Sequence, residues 1–367
     1  RKNPTHQAIH YGDASLLTAV YVILGGYMAT AINDFIQGIV MLIGIVCVIV
    51  AVLKGQGGFM AAISKLSELS PDPNTTHPAL INLKGAFVSF FGPDPLNLLG
   101  VIVLTSLGTL GLPQMVQKFY AIKSEKAVKT GTIVSTLFAI IISCGCYFLG
   151  GFGRLFDNPN FYGANGAVRY DTIIPTMLSS LPDFLIGIVV VLVLSASMST
   201  LSALVLTSSS TFTLDFLKIS IAKKMNDKNQ LLVMRFLIVV FIVVSVILAL
   251  NPPTFIAQLM GISWGALAGA FLAPFIHGLF WKKTSKASVW ASFAFGVGIT
   301  VFNMICPIFK SPINCGAIAM IGGLIIVPLV SLITPKLSIS SQEKIFTCYE
   351  EKVQDTKKVV LVETEEE

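Results

Sequence analysis

The stretch from Leu231 to Leu250, LLVMRFLIVVFIVVSVILAL, decides the class of fold. Its single charge, Arg235, lies near the start, and residues 236–250 hold one hydroxyl, Ser245, and no charge. At about 1.5 Å of rise per residue, such a run reaches about 30 Å, the thickness of a bilayer's hydrocarbon core. A helix that is apolar on every side belongs either inside a large core or across a membrane.

The whole chain decides between those two. Of 367 residues, 54% are apolar and 12% charged, with a mean hydropathy of +0.80. Soluble domains average about 25% charged residues, so too little polar surface is present to cover a water-facing globule. The fold class expected is an all-α integral membrane protein, with the lipid bilayer as its first partner. Disorder, collagen, coiled coil and a disulfide scaffold are excluded by the same numbers. Nine apolar runs read as spans: 14–31, 34–53, 96–115, 130–150, 183–205, 231–250, 255–281, 286–306 and 314–334. The first is short and starts at Asp13. The transmembrane domain is therefore placed at 1–335 and a charged, solvated tail at 336–367.

The net charge of +6 is too small to indicate nucleic acid, and no partner of that kind is expected. Lysines in short loops account for it instead. Lys118, Lys123, Lys126 and Lys129 follow the third span, Lys218, Lys223, Lys224 and Lys228 the fifth, and Lys282, Lys283 and Lys286 the seventh. Loops on the other face are sparse in basic residues, as at Asn251-Pro252-Pro253. Positive loops stay in the cytoplasm, which puts the amino end outside and the carboxyl end inside, with the plasma (inner) membrane as the expected location. The chain starts Arg1-Lys2-Asn3-Pro4, with neither an initiating Met nor a signal peptide, and is read as the carboxyl-terminal part of something longer. Six cysteines lie mostly in apolar runs without CxxC spacing and read as small core residues, with Cys306 and Cys315 close enough in sequence for a pairing to be weighed.

Polar groups inside spans carry the functional information, because unsatisfied groups are costly in hydrocarbon. Thr105-Ser106-Leu107-Gly108-Thr109-Leu110-Gly111-Leu112-Pro113-Gln114 should break its helix; a harmless kink and a cavity-lining interruption are both open. Ser195-Ala196-Ser197-Met198-Ser199-Thr200-Leu201-Ser202 has five hydroxyls in eight residues. These either bond back to the preceding turn or, with backbone carbonyls, hold a hard monovalent cation. Gly261, Gly265 and Gly269 recur every fourth residue and make a smooth face for close helix packing. Trp264 beside them is belt, core filler or substrate wall. Asp34, between two spans, is either a helix cap or part of an ion path. His277 is assigned no chemistry. No nucleophile elbow, Walker loop, HExxH or GxGxxG occurs, so no enzyme is expected.

Four segments, in order, resemble the sodium/solute symporter family and in particular its proline-type branch. They are Tyr21-Val22-Ile23-Leu24-Gly25-Gly26-Tyr27 with Asn33-Asp34-Phe35-Ile36-Gln37, then Gly108 to Gln114 closing with Lys118-Phe119-Tyr120-Ala121-Ile122. Met198-Ser199-Thr200-Leu201-Ser202 leading to Leu214-Asp215-Phe216 is the third, and Trp264 with Pro274 and Phe280-Trp281-Lys282-Lys283 the fourth.

The resemblance implies a leucine-transporter-like bundle of inverted repeats, of which this chain would hold the last nine helices without the amino-terminal core helices. It implies sodium-coupled uptake of a small organic solute, of amino acid or monocarboxylate type, by alternating access. It implies a Na+ site formed by the Ala196 carbonyl and the Ser199 and Thr200 hydroxyls. It also implies a substrate wall at Thr105, Gly108, Thr109, Pro113, Gln114 and Trp264, with Asp34 on the ion-exit path. Proline-type members carry Trp and Tyr where Thr105 and Thr109 stand, so a smaller, more polar wall is expected. No obligate protein partner is expected. The alternatives are a symporter-like membrane sensor or regulatory module, or an inactive fragment without net transport.

Overall fold

The computed structural model describes residues 4–70, 84–119, 122, 124–156, 158–163, 168–179, 181–250, 252–335 and 339–349, without the side chains of 4–14, 117, 339–341 and 348. The described residues are helical almost throughout. In chain order the helices are α1 (Pro4–Gly55), α2 (Phe59–Glu68), α3 (Pro95–Gly111), α4 (Pro113–Phe119), α5 (Glu125–Phe152) and α6 (Tyr170–Leu178). There follow α7 (Asp183–Ser210), continued by a π-helix over Thr211–Ile221, then α8 (Asp227–Leu250), α9 (Ile256–Phe280), α10 (Lys286–Ile305), α11 (Pro312–Ile333) and α12 (Ile339–Phe346).

Seven of these are long and apolar enough to cross a membrane, and α3 is a shorter apolar helix beside them. The count differs from nine for two physical reasons. The runs at 14–31 and 34–53 follow one another within α1 as two helices joined directly at a kink at Gly26, at φ 57° and ψ −150°, with no loop between them. That backbone conformation is open essentially to glycine only. The run at 96–115 is cut at Leu112. The residue before a proline is pushed out of the α region, and Leu112 adopts φ −83° and ψ 124° ahead of Pro113. At its other end α3 is capped by Asp94, whose Oδ1 accepts from the Asn97 amide at 3.1 Å.

Two packing groups emerge. In one, α3, α9, α10 and α11 pack on one another; in the other, α1 packs on α7, α8 and α5, and α7 on α8. The first group is held by small residues. A Cβ built at Gly265 would lie 2.7 Å from the Gly316 Cα, and one at Gly261 would lie 3.0 Å from the Ile313 amide nitrogen. The four-residue glycine spacing therefore does serve helix contact. His277 adds a polar tie, its Nε2 lying 3.1 Å from the Leu324 carbonyl oxygen. Four hydroxyls join α10 to α11: the Ser331 Oγ donates to the Ser288 Oγ at 2.7 Å, and the Ser285 and Thr334 hydroxyls lie 2.6 Å apart.

The second group holds two apolar clusters, one built on Ile45, Val48 and Val52 of α1 with Leu149 and Phe152 of α5, the other on Val22, Val205, Ile238 and Ile242. Phe236, Val243 and Ile247 of α8 point outward and are exposed, as residues facing acyl chains must be. Cysteine placement departs from the expectation. Among the described cysteine side chains, Cys315 alone is buried, Cys47 is half-buried, and Cys144, Cys146 and Cys306 are exposed; Cys306 and Cys315 are both free thiols.

Gly265→Val is expected to push α9 off α11 and destabilise the protein by about 2 kcal/mol, the usual cost of overpacking. Gly278→Ala, where a Cβ meets nothing within 4 Å, is expected to be neutral. Thermal unfolding in detergent checks both; equal midpoints for the two variants would remove the close-packing interpretation.

Candidate functional site

The hydroxyl stretch runs through the middle of α7, and α7 packs along α1. A helix interior leaves a hydroxyl little choice but the carbonyl one turn earlier. The Thr200 Oγ1 donates to the Ala196 carbonyl at 3.0 Å, and the Ser202 Oγ to the Ser199 carbonyl at 2.9 Å. The back-bonding alternative is thus realised. It also sets the Thr200 hydroxyl and the Ala196 carbonyl oxygen side by side, as adjacent ligands of one hard cation would be. Donors in this stretch are neutral oxygens, with a carboxylate close by: the Asp34 side chain faces Ser199.

The break at Gly26 positions that carboxylate. Before it, the Tyr21 hydroxyl donates to the Met198 carbonyl at 3.1 Å and ties α1 to the hydroxyl stretch. At the break, the buried Thr30 Oγ1 takes up the Gly26 carbonyl at 2.8 Å. Past it, Asp34 stands in the interior of α1, so the capping alternative fails: no helix starts there. Asp34 Oδ1 is buried with no hydrogen-bond partner, as are Asn33 Nδ2 and Gln37 Oε1 nearby. Buried polar atoms without partners are rare, and a run of them within two turns of one helix marks a place built for something other than stability.

A cavity of about 220 Å³ opens between α1, α4 and α7. Tyr27, Thr30 and Asp34 line it from α1, Gln114 and Lys118 from α4, and Thr207 from α7. Lys118 Nζ lies 4.0 Å from Asp34 Oδ2. The sequence names Asp34 and Gln114 as candidate site residues, and Lys118 as a loop charge and as part of a family-like segment, without a role at the site. The signal for Lys118 was its i+4 spacing from Gln114, which puts both on one face of α4.

The other expected wall residues collect elsewhere. Thr105 Oγ1 donates to the Val101 carbonyl at 2.8 Å and Thr109 Oγ1 to the Ser106 carbonyl at 3.2 Å, both within α3. A Cβ at Gly108 would stand 3.3 Å from the Trp264 ring. That ring packs on Leu104, Leu272 and Met320, so here Trp264 fills the contact between α3, α9 and α11. Pro113 marks the break itself. The structure therefore brings Asp34, Ser199, Gln114 and Lys118 together, and separately Gly108 and Trp264.

Residues 5–296 match the sequence model of the Sodium:solute symporter family. The sodium/pantothenate symporter of Haemophilus influenzae is 32% identical over 298 residues, which are 79% of this chain and 58% of that protein. Sodium/proline symporter 2 of Staphylococcus saprophyticus is 28% identical over 300 residues, 80% of this chain and 55% of that one. The chain thus spans little more than half the length of these curated relatives. A Na+-coupled sialic acid symporter, solved in a substrate-bound outward-open state, shares the fold with a TM-score of 0.62 at 18% identity, over 90% of this chain and 68% of that chain. With the match running over most of its residues, this multi-pass helical chain belongs to the sodium:solute symporter family.

Proposed function

We propose that the protein couples the inward movement of sodium to uptake of a small organic solute. The observation that carries this reading is the placing of the hydroxyl stretch of α7 beside the Asp34 carboxylate of α1, whose Oδ1 is buried without a hydrogen-bond partner. Sodium is held by the Ala196 carbonyl and the Ser199 and Thr200 hydroxyls, and leaves past Asp34 into the cavity lined by Gln114 and Lys118. Three oxygens from one helix leave a cation's shell incomplete, so further oxygen ligands are needed to complete it.

The finer architecture proposed is a leucine-transporter-like inverted-repeat bundle in which α1, counted as the two runs 14–31 and 34–53, with α3, α5 and α7 through α11 supply nine spans, with the amino end outside and the carboxyl end in the cytoplasm. Lysines after α3, around α8 and after α9 support that orientation. The tail from 336 is proposed to be cytoplasmic; residues 350–367 lie outside the described ones.

The solute is proposed to carry a carboxylate, as proline and pantothenate both do. Thr105, Gly108, Thr109, Pro113 and Trp264 would form its wall where α3 is interrupted, since broken helices expose backbone groups to a cavity at mid-membrane. Thr105 and Thr109 give that wall hydroxyls in place of aromatic rings.

Uptake of radiolabelled pantothenate and proline into proteoliposomes, with an inward sodium gradient or with potassium in its place, tests the reading. Sodium-dependent accumulation of one of them is expected; no sodium-stimulated flux of either would favour the regulatory alternative. Thr200→Ala is expected to raise half-saturating sodium about tenfold, about 1.4 kcal/mol of lost binding. An unchanged sodium requirement would remove Thr200 from the ion site. Trp264→Ala is expected to destabilise the protein by about 3 kcal/mol and to raise the solute KM, with half-saturating sodium unmoved. A shifted sodium requirement without loss of stability would place Trp264 at the ion instead.

A further inference from the structure

Lys118 and Asp34 form an ion pair with the wrong properties for a structural staple. The nitrogen and oxygen are 4.0 Å apart, and the lysine side chain is 49% exposed against 21% for the aspartate. A pair so long, with one partner half in solvent, adds little to stability. Yet it reaches a carboxylate whose other oxygen is buried and unpartnered. Leaving such a group without any counter-charge is costly in a low-dielectric surround. The cavity beside it leaves the lysine's flexible four-carbon stem room to swing away.

A hydroxyl and an ammonium are presented to one carboxylate, so sodium bound at that hydroxyl brings a second positive charge to it. From α7, the Ser199 hydroxyl of the proposed sodium site faces Asp34. From α4, the Lys118 ammonium approaches Asp34 Oδ2 across the cavity. Cations sharing a single anion at a few ångströms repel one another, so occupancy of one position weakens the other. The geometry points to Lys118 as a tethered counter-cation that competes with sodium for Asp34, a positioning residue for the coupling ion. With the ion gone, the ammonium closes on the carboxylate and neutralises it, so that the sodium-free carrier does not hold a bare buried charge. When sodium arrives beside Ser199, the ammonium is displaced into the cavity. Lys118 thereby holds sodium affinity low enough for release on the side where the cavity opens. This inference rests on the sodium site proposed above and adds to it a residue that sets how readily the ion leaves.

Equilibrium binding of 22Na+ to the purified protein in its native length tests it without any knowledge of the solute. Lys118→Gln is expected to tighten sodium binding about tenfold, the scale of one charge removed at a partly solvated site. Lys118→Arg, which keeps the charge, is expected to stay within about twofold of the unaltered protein. The gain from Lys118→Gln is expected to vanish when Asp34 is also changed to Asn. Unchanged or weaker binding in Lys118→Gln would overturn the role of Lys118, and so would the same gain in the Asp34→Asn background. Saturable 22Na+ binding by the unaltered protein with no gain in Lys118→Gln leaves the sodium site standing. The lack of any saturable binding overturns that site and the inference together.

Discussion

A backbone amide or carbonyl left unpaired in hydrocarbon costs several kcal/mol, and the whole chain is organised around that constraint. It makes helices obligatory, and it makes every departure from helix expensive unless protein covers it. The departures are few and placed together. Gly26 breaks α1, Leu112 and Pro113 separate α3 from α4, and α7 passes into a π-helix at Thr211. The first break lies in the α1 segment that carries the cavity wall, and α4, which follows the second, supplies Gln114 and Lys118 to that wall. The third lies a few residues beyond Thr207, which lines the cavity too. Irregular backbone tolerated at membrane depth is backbone that lines a cavity, and here it lies around a polar recess of α1.

Rigid and yielding parts are divided along the chain. Where α9, α10 and α11 meet, glycines and alanines let backbones touch, and a hydroxyl ladder joins α10 to α11. Nothing in that group has room to move without losing contacts over its whole length. Around α1, α4 and α7, by contrast, Asn33, Asp34 and Gln37 hold buried polar atoms without partners, and a cavity stands beside them. A carrier needs both kinds of region: one to serve as a frame, and one whose polar groups change partners as the ion comes and goes.

Much of this was legible in the sequence. The run 231–250 announces a membrane span, and α8 is one of the seven helices that meet the length and hydropathy of a span. Gly261, Gly265 and Gly269 announced a packing face because a four-residue repeat needs no tertiary information to interpret. The hydroxyl stretch announced two alternatives, and the back-bond from Thr200 to Ala196 realises one while leaving the same oxygens adjacent for the other.

Legibility failed where local signal and three-dimensional consequence part. A hydropathy scan sees two runs at 14–31 and 34–53, whereas the two helices of α1 meet at Gly26, whose dihedral angles no such scan shows. Trp264 had three readings at the sequence level because only its neighbours, Gly108 and Met320, decide among them. Lys118 looked like one loop charge among many, since its distance from Asp34 joins residues 84 positions apart.

The central claim is that the oxygens of α7 form a cation site, with the carboxylate of α1 on the ion's way out. A cryo-EM structure of the native-length protein, determined once in sodium and once in potassium, tests it most directly. Density within ligating distance of the Ala196 carbonyl and the Ser199 and Thr200 hydroxyls in sodium alone, with the Thr200 hydroxyl turned off the Ala196 carbonyl, is the expected result. Identical maps in the two salts, with that hydroxyl bonded to Ala196 in both, would contradict it.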